Sequence, residues 1–237
     1  MKPITLLLCT LLLGALPLRA QQDAARWETV WHESFEKSAS GAAVGAPWKQ
    51  RHAQRQITVT NQTAIDGKQA ATFSFEVAAE GALDKEAGLF FMEAPIPRKK
   101  SDALTTWRIS AAVRFHPVAW TGTALTLRGD HYKPAVSLVN SSNMLFLGGA
   151  LSMPVWSMAK PDQWYRVQIT LREVEKTFDL EIGEADETYR NQFFNLPLGS
   201  ETLPFLNVSF GYVGALVRYG QDRQTFIDDI RVERLAR

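Results

Sequence analysis

The chain has 237 residues, with 26 lysines and arginines against 25 aspartates and glutamates and a formal net charge of +1. That balance excludes a nucleic-acid binder of the usual basic kind and gives no support for docking on an anionic membrane. With 46% hydrophobic residues, a chain of this size can bury a large core without disulfides.

Lys2 precedes an apolar run from Ile4 to Leu16, and Pro17-Leu18-Arg19-Ala20 stands before Gln21-Gln22. A basic start, a short apolar core and a small residue at the cut describe a secretory signal peptide. A membrane anchor needs about 20 apolar residues, and this run is shorter. The expectation is therefore a bacterial-type signal peptide over residues 1–20, a secreted or periplasmic product and no membrane-spanning segment after cleavage. Cys9 follows Leu8, where a lipoprotein signal has a small residue, so lipid anchoring is not expected. It is the one cysteine, so the processed chain holds no disulfide. Loss of Lys2 and Arg19 leaves 24 basic residues against the 25 acidic ones. Residues 21–26 read as a loose leader. Residues 27–237 read as one domain, because no internal repeat or long linker interrupts them. Sequons at Asn61, Asn140 and Asn207 matter only in a host that glycosylates exported proteins.

Strand patterns then recur along the chain. Trp31 to Phe35 is the first, followed by a small-residue loop from Ser38 to Pro47. Ile57 to Thr60 and Ala70 to Val77 flank Asp66-Gly67, a strong turn signal. Leu89 to Met92 precedes Pro95 and Pro97, which are expected to end its ladder. Trp107 to Phe115 alternates apolar and polar, and shorter runs follow at Ala124 to Arg128, Ala135 to Val139 and Met144 to Leu147.

Trp164 to Ile182 is the clearest hairpin. Tyr165, Val167, Ile169 and Leu171 alternate with Arg166, Gln168, Thr170 and Arg172; after Glu173 to Lys176 the alternation resumes with Phe178, Leu180 and Ile182. A four-residue turn sets Leu171 opposite Phe178, Ile169 opposite Leu180 and Val167 opposite Ile182, a register that buries every apolar side chain. Leu206 to Tyr212, Ala215 to Arg218 and Thr225 to Leu235 complete the strands. Only Glu184 to Asn195 offers a helix of any length, on a weak pattern. Many short strands with strong first and last members predict an all-β fold: a two-layer antiparallel β-sandwich, a jelly roll whose termini pair side by side.

The sequence resembles the concanavalin A-like lectin and glucanase superfamily in its laminin-G-like jelly-roll branch. Trp31-His32-Glu33-Ser34-Phe35-Glu36, Gly45-Ala46-Pro47-Trp48, Ile65-Asp66-Gly67-Lys68, Gln163 to Val167 and Phe226-Ile227-Asp228-Asp229-Ile230-Arg231-Val232 carry the resemblance, in that order. It implies a carbohydrate-binding domain with a polysaccharide or glycan as partner. The same fold hosts glycoside hydrolases, polysaccharide lyases and structural or adhesive envelope domains, so fold alone does not choose.

Hydrolases of this superfamily resembling laminarinases carry Glu-x-Asp-x-x-Glu, and retaining chemistry sets two carboxylates about 5 Å apart. The nearest match, Glu184-Ala185-Asp186-Glu187-Thr188-Tyr189, has Tyr189 in place of the second Glu and reads as a solvated acidic loop. Lyases on this scaffold use a Tyr or His base with an Arg or Lys that offsets the uronate charge. Arg128-Gly129-Asp130-His131-Tyr132-Lys133 contains those residue types, which makes His131, Tyr132 and Arg128 the catalytic candidates if the protein is an enzyme. The embedded Arg-Gly-Asp is too short to argue adhesion. No catalysis is assigned.

Sugar rings stack on exposed aromatics. Trp107 and Trp164 begin strong strands and read as core. Trp120 and Trp156 fall in loops and, with Tyr132, His131 and Arg128, are the carbohydrate-binding candidates; the alternative is that loop tryptophans fold back as lids on the core. Asp228 is in phase with Phe226, Ile230 and Val232, on the face that should be dry, where a carboxylate needs a partner. The resemblance implies one structural Ca2+ held by Asp228, with Glu36 and Asp66 contributing. The alternatives are an Asp that accepts backbone amides, or a bulge that turns it outward.

Overall fold

A computed structural model describes residues 26–51, 57–75, 89–99, 101–114, 123–129, 134–141, 144–148, 151–157, 159–160, 163–186, 188–198, 204–213 and 223–236. The expected signal peptide and most of the leader lie outside the described residues, as does the expected strand at Ala215 to Arg218. Among the described residues there are fifteen strands, no helix, and hence no helix long and apolar enough to cross a membrane. In chain order they begin β1 (Trp27–Glu33), β2 (Lys49–Arg51), β3 (Thr58–Thr60), β4 (Ala70–Phe75) and β5 (Leu89–Pro95). Next come β6 (Thr106–Arg114), β7 (Thr123–Arg128), β8 (Pro134–Ser141), β9 (Met144–Leu147) and β10 (Met153–Trp156). Last are β11 (Trp164–Arg172), β12 (Thr177–Glu184), β13 (Arg190–Pro197), β14 (Asn207–Val213) and β15 (Arg223–Leu235).

The strands form two antiparallel sheets, the all-β sandwich that the alternation predicts. One sheet has eight strands in the order β13-β12-β11-β6-β15-β4-β3, with β1 also on β15; the other runs β10-β9-β8-β7-β14-β5-β2. The hairpin takes the expected register, with Val167 opposite Ile182, Ile169 opposite Leu180 and Leu171 opposite Phe178. Strand β6 adds the next layer, pairing Trp107 with Leu171, Ile109 with Ile169 and Ala111 with Val167. Ile109, Ile169, Leu180 and Ile182 are buried in one cluster with Leu127, Leu138, Val208 and Phe210 of the other sheet. A one-residue slip of β12 would send Phe178, Leu180 and Ile182 to the outer face and forfeit roughly 1.5–3 kcal/mol for each.

The termini pair as expected: β1 lies antiparallel to the end of β15, from Trp27 opposite Leu235 to Glu33 opposite Ile230. The first half of β15 carries β4 instead, with Ile227 opposite Ala71. Where these partners change over, the register of β15 against β6 shifts between Asp228 and Arg231.

Two expectations are corrected. Glu184 to Asn195 is not a helix: β12 runs to Glu184 and β13 begins at Arg190. As an edge strand β13 packs only Phe193 and Leu196 against the core, and a register shift interrupts its period, so alternation was not visible. The ladder of β5 ends at Pro95, opposite Asn207, as the prolines lead one to expect, three residues beyond Met92. Trp164 is half-buried and outside the core cluster, donating its Nε1–H to Thr63 Oγ1 at 3.2 Å.

Candidate functional site

On the eight-stranded sheet the apolar phases of β11, β12, β6 and β15 face inward, so the polar phases share the outer face. The pairings set Glu181, Gln168, Ser110, Arg231 and His32 in one row across β12, β11, β6, β15 and β1. At the usual strand spacing such a row spans about 19 Å. A second row beside it holds Asp179, Thr170, Arg108, Glu233 and Thr29. Ser110 and Gln168 are short beside the arginines around them. Arg108, Arg166, Arg190 and Arg231 stand about an open depression of about 570 Å3.

The centre of this face is the bulge in β15. Asp229 adopts a left-handed φ of 46°, a conformation that Asp tolerates better than most residues. The bulge resets the phase: Ile227, Ile230 and Val232 belong to the core cluster, while Phe226 and Asp228 do not. Asp228 therefore stands on the outer side opposite Ala112, not on the core face where uninterrupted alternation put it. It is nonetheless 0% exposed, because the turn between β3 and β4 covers it. Its Oδ2 accepts the amides of Ile65 (3.1 Å) and Asp66 (3.3 Å), and its Oδ1 that of Asp229 (2.7 Å). Burial pushes its pKa up to about 6 against the opposing pull of those amides.

Glu36 grips the same turn from the other side, its Oε1 accepting the amides of Lys68 (2.8 Å) and Gln69 (2.7 Å). Gly67 makes this approach possible: its φ is +72°, and an added Cβ would meet Glu36 Oε1 at 2.6 Å. Asp66 is exposed on the turn. The set expected for calcium, Asp228, Glu36 and Asp66, is thus brought to one turn. The Asp228 oxygens and Glu36 Oε1 each accept backbone amide hydrogens, from this turn or from Asp229. Among the described residues no group of three or more His, Asp or Glu side chains is placed to hold a metal ion.

Asp229 behaves differently from its neighbour. His32 Nε2 (3.0 Å) and Arg231 Nε (2.9 Å) meet its Oδ1, and Arg166 Nη1 (3.0 Å) meets its Oδ2. Burial alone would raise its pKa, but the hydrogen bonds from Arg231, Arg166 and His32 bring it below the usual carboxylate value. Arg231 is raised in turn, chiefly by its hydrogen bond to Asp229. On either side, Arg108 bonds Glu233 at 2.5 Å with its guanidinium 4.5 Å from the Trp27 ring, and Arg190 bonds Glu181 at 3.0 Å.

The residues singled out from sequence are dispersed. Trp156 is 8% exposed, its ring edge-on to Tyr165 at 5.5 Å, so it is a lid on the core and offers no ring to solvent. Arg128 lies on the outer face of the other sheet and donates from Nε to Ser209 Oγ at 3.1 Å, above Thr126 and Ser209, which are themselves buried. Trp120, His131 and Tyr132 lie outside the described residues. Glu184 ends β12 buried against Lys160 Nζ at 2.8 Å, and Asp186 accepts the Thr188 amide in the turn beyond.

Sequence reasoning missed His32, Arg108, Arg166, Arg231 and Asp229 as a group. Each polar phase was visible in its own strand. Their convergence required the order β12-β11-β6-β15-β1, which joins strands from both ends of the chain.

No family of known sequences and no curated protein matches the chain. Among solved structures it is similar to the lectin UEA-II complexed with galactose, with a TM-score of 0.56, 9% identity, and coverage of 88% of this chain and 100% of that one. It is similar to a sialidase (TM-score 0.56, 11% identity, 86% of this chain) and spans only 18% of that protein's length. A third likeness is to cellulose induced protein Cip1, with a TM-score of 0.54, 10% identity, and coverage of 85% of this chain and 96% of that one. At such identities the likeness shows the fold alone, a jelly-roll sandwich.

Proposed function

We propose that the protein binds a polysaccharide or glycan laid across the outer face of the eight-stranded sheet. The observation that carries this reading is the polar row Glu181, Gln168, Ser110, Arg231 and His32, whose first four members line an open depression. Donors and acceptors at strand spacing match the hydroxyls of an extended sugar chain, and the short floor residues let the chain approach the sheet. A lectin complexed with galactose shares the fold, which supports this class of ligand. The face of the seven-stranded sheet is the weaker choice, because Thr126, Ser137, Ser209 and Arg128 hydrogen-bond one another there.

Two features favour binding over hydrolysis on this face. Asp229 is kept ionised by its hydrogen bonds from Arg231, Arg166 and His32, and Asp228, whose raised pKa would suit a general acid, is sealed beneath the turn. Export after cleavage near Ala20 belongs to the same proposal and gives the protein access to glycans outside the cytoplasm.

The test is retention on a panel of immobilised polysaccharides for the parent and for Ser110→Trp, which fills the floor from an outward-facing position. Binding by the parent and its loss in the folded variant support the reading. Retention of no glycan, or binding indifferent to Ser110→Trp, overturns it. Appearance of unsaturated or reducing ends would instead establish a lyase or hydrolase and direct attention to His131, Tyr132 and Arg128.

A further inference from the structure

We infer that this face selects acidic glycans, with Arg166 and Arg231 together holding the anionic group of a sugar, a uronate carboxylate or a sulfate ester; the inference rests on the glycan-binding reading above.

The argument begins with Asp229. Its carboxylate is 7% exposed, and two guanidiniums and an imidazole converge on it: His32 at 39%, Arg166 at 48% and Arg231 at 46% side-chain exposure. A ligand arriving from solvent therefore meets the cations and not the carboxylate beneath them. Asp229 uses one nitrogen of each guanidinium, Nη1 of Arg166 and Nε of Arg231. Each guanidinium carries more N–H donors than that, and the others meet no protein acceptor among the described residues.

Both arginines are anchored through the two oxygens of one carboxylate, so their outer donors are held close together and in fixed orientation. A planar guanidinium fork matches a carboxylate or sulfate in two-point contact. A neutral hydroxyl would use a single donor and gain about half the strength per bond.

The acidic groups around this pair are mostly engaged with partners of their own. Glu233 is taken by Arg108, and Glu181 by Arg190 and Gln192. Asp66 on the nearby turn and Glu233 both act electrostatically on Arg231, and Glu184, which also lines the depression, is paired with Lys160. Asp228 lies beneath that turn, 0% exposed. The anchoring also lasts through the neutral range, because Asp229 stays ionised below the ordinary carboxylate pKa.

The experiment measures affinity for polygalacturonate (uronate), a sulfated galactan (sulfate ester) and a neutral galactan or glucan, with the parent, Arg166→Ala, Arg231→Ala and Arg231→Lys. The expected result is preference for an acidic polymer, with each alanine variant weakened at least about tenfold, the size of a lost charge-assisted bond. Arg231→Lys keeps a cation on Asp229, so it preserves the fold while losing the fork, and it is expected to recover only part of the affinity. The uronate and sulfate arms tell the two sources of the anion apart. Binding of neutral polymers alone overturns this inference and leaves the glycan reading standing, whereas binding of none overturns both. Acidic binding unchanged in Arg166→Ala and Arg231→Ala places the anion site elsewhere and overturns the assignment.

Discussion

Asp228 and Asp229 are adjacent carboxylates with opposite electrostatics, and the difference lies in what each one meets. Asp229 meets two guanidiniums and an imidazole, so its pKa falls; Asp228 meets only neutral amides in a buried place, so its pKa rises to about 6. Because the folded value of Asp228 lies above its ordinary 3.8, the folded state binds more protons between those limits. Asp228 therefore makes the fold more stable as pH falls from above 6 toward 4, whereas the stabilisation from Asp229 is lost only below its ordinary carboxylate pKa. The parent should gain on the order of 1–3 kcal/mol relative to Asp228→Asn over that window. Denaturant melts of both proteins at neutral and mildly acidic pH check the sign, and a parent that gains nothing would contradict it. With these oxygens already served by amides, calcium or EDTA should leave Tm unchanged; a calcium-dependent rise would show that the turn can reorganise around a cation. Glu173 is a third buried carboxylate, fully enclosed and accepting from Arg98 Nη1, Thr105 N, Trp107 Nε1 and Phe205 N. Glu173→Ala leaves Arg98 buried and unpaired and should destabilise the fold by about 3–5 kcal/mol, read as a lower urea midpoint.

At the level of elements, the hairpin β11–β12 and the bulge in β15 illustrate two ways in which a strand is placed. The hairpin is specified locally: alternation fixes its register, and its turn closes at Lys176, a non-glycine residue with φ of 54°. Left-handed backbone there carries a steric cost of roughly 1–2 kcal/mol for a residue with a Cβ. Lys176→Gly should therefore be neutral or stabilising by up to about 1 kcal/mol, since glycine's greater entropy when unfolded offsets part of the relief. A clear loss of Tm would show that the Lys176 side chain matters more than its backbone. The bulge, in contrast, is specified from a distance. Strand β15 must serve β4 first and β1 afterwards, and the extra residue falls where the partner changes. That irregularity turns Asp228 under the β3–β4 turn and Asp229 toward Arg166, so the same local defect builds both carboxylate environments.

At the level of the whole molecule, the closing contact is the pairing of β1 with β15, which ties one end of the described chain to the other. Glu28 and Arg234 are direct partners there, joined by an exposed ion pair worth little on its own. Cysteines at these two positions should oxidise readily, because antiparallel partners lie at about 4.5–5.5 Å between Cα atoms, within disulfide range. The bridge closes a loop spanning nearly the entire domain and should raise stability by up to about 4–5 kcal/mol, seen as a higher Tm that reverses on reduction. Failure to oxidise would mean the termini are not neighbours in solution. The sequence by itself determined the two-layer antiparallel fold and the partners within the central hairpin, because a short turn and a period of two with one dry face admit a single register; the pairing of the termini followed from strong first and last strands and the jelly-roll expectation. It also marked the carboxylate at 228 as anomalous and Asp66-Gly67 as a turn. Tertiary structure alone decided that Trp156 is a lid, that β13 is an edge strand and that His32, Arg166 and Arg231 share one carboxylate. Those facts depend on which strands become neighbours across long sequence separations, and alternation within a strand records its dry face but not the identity of the strand beside it.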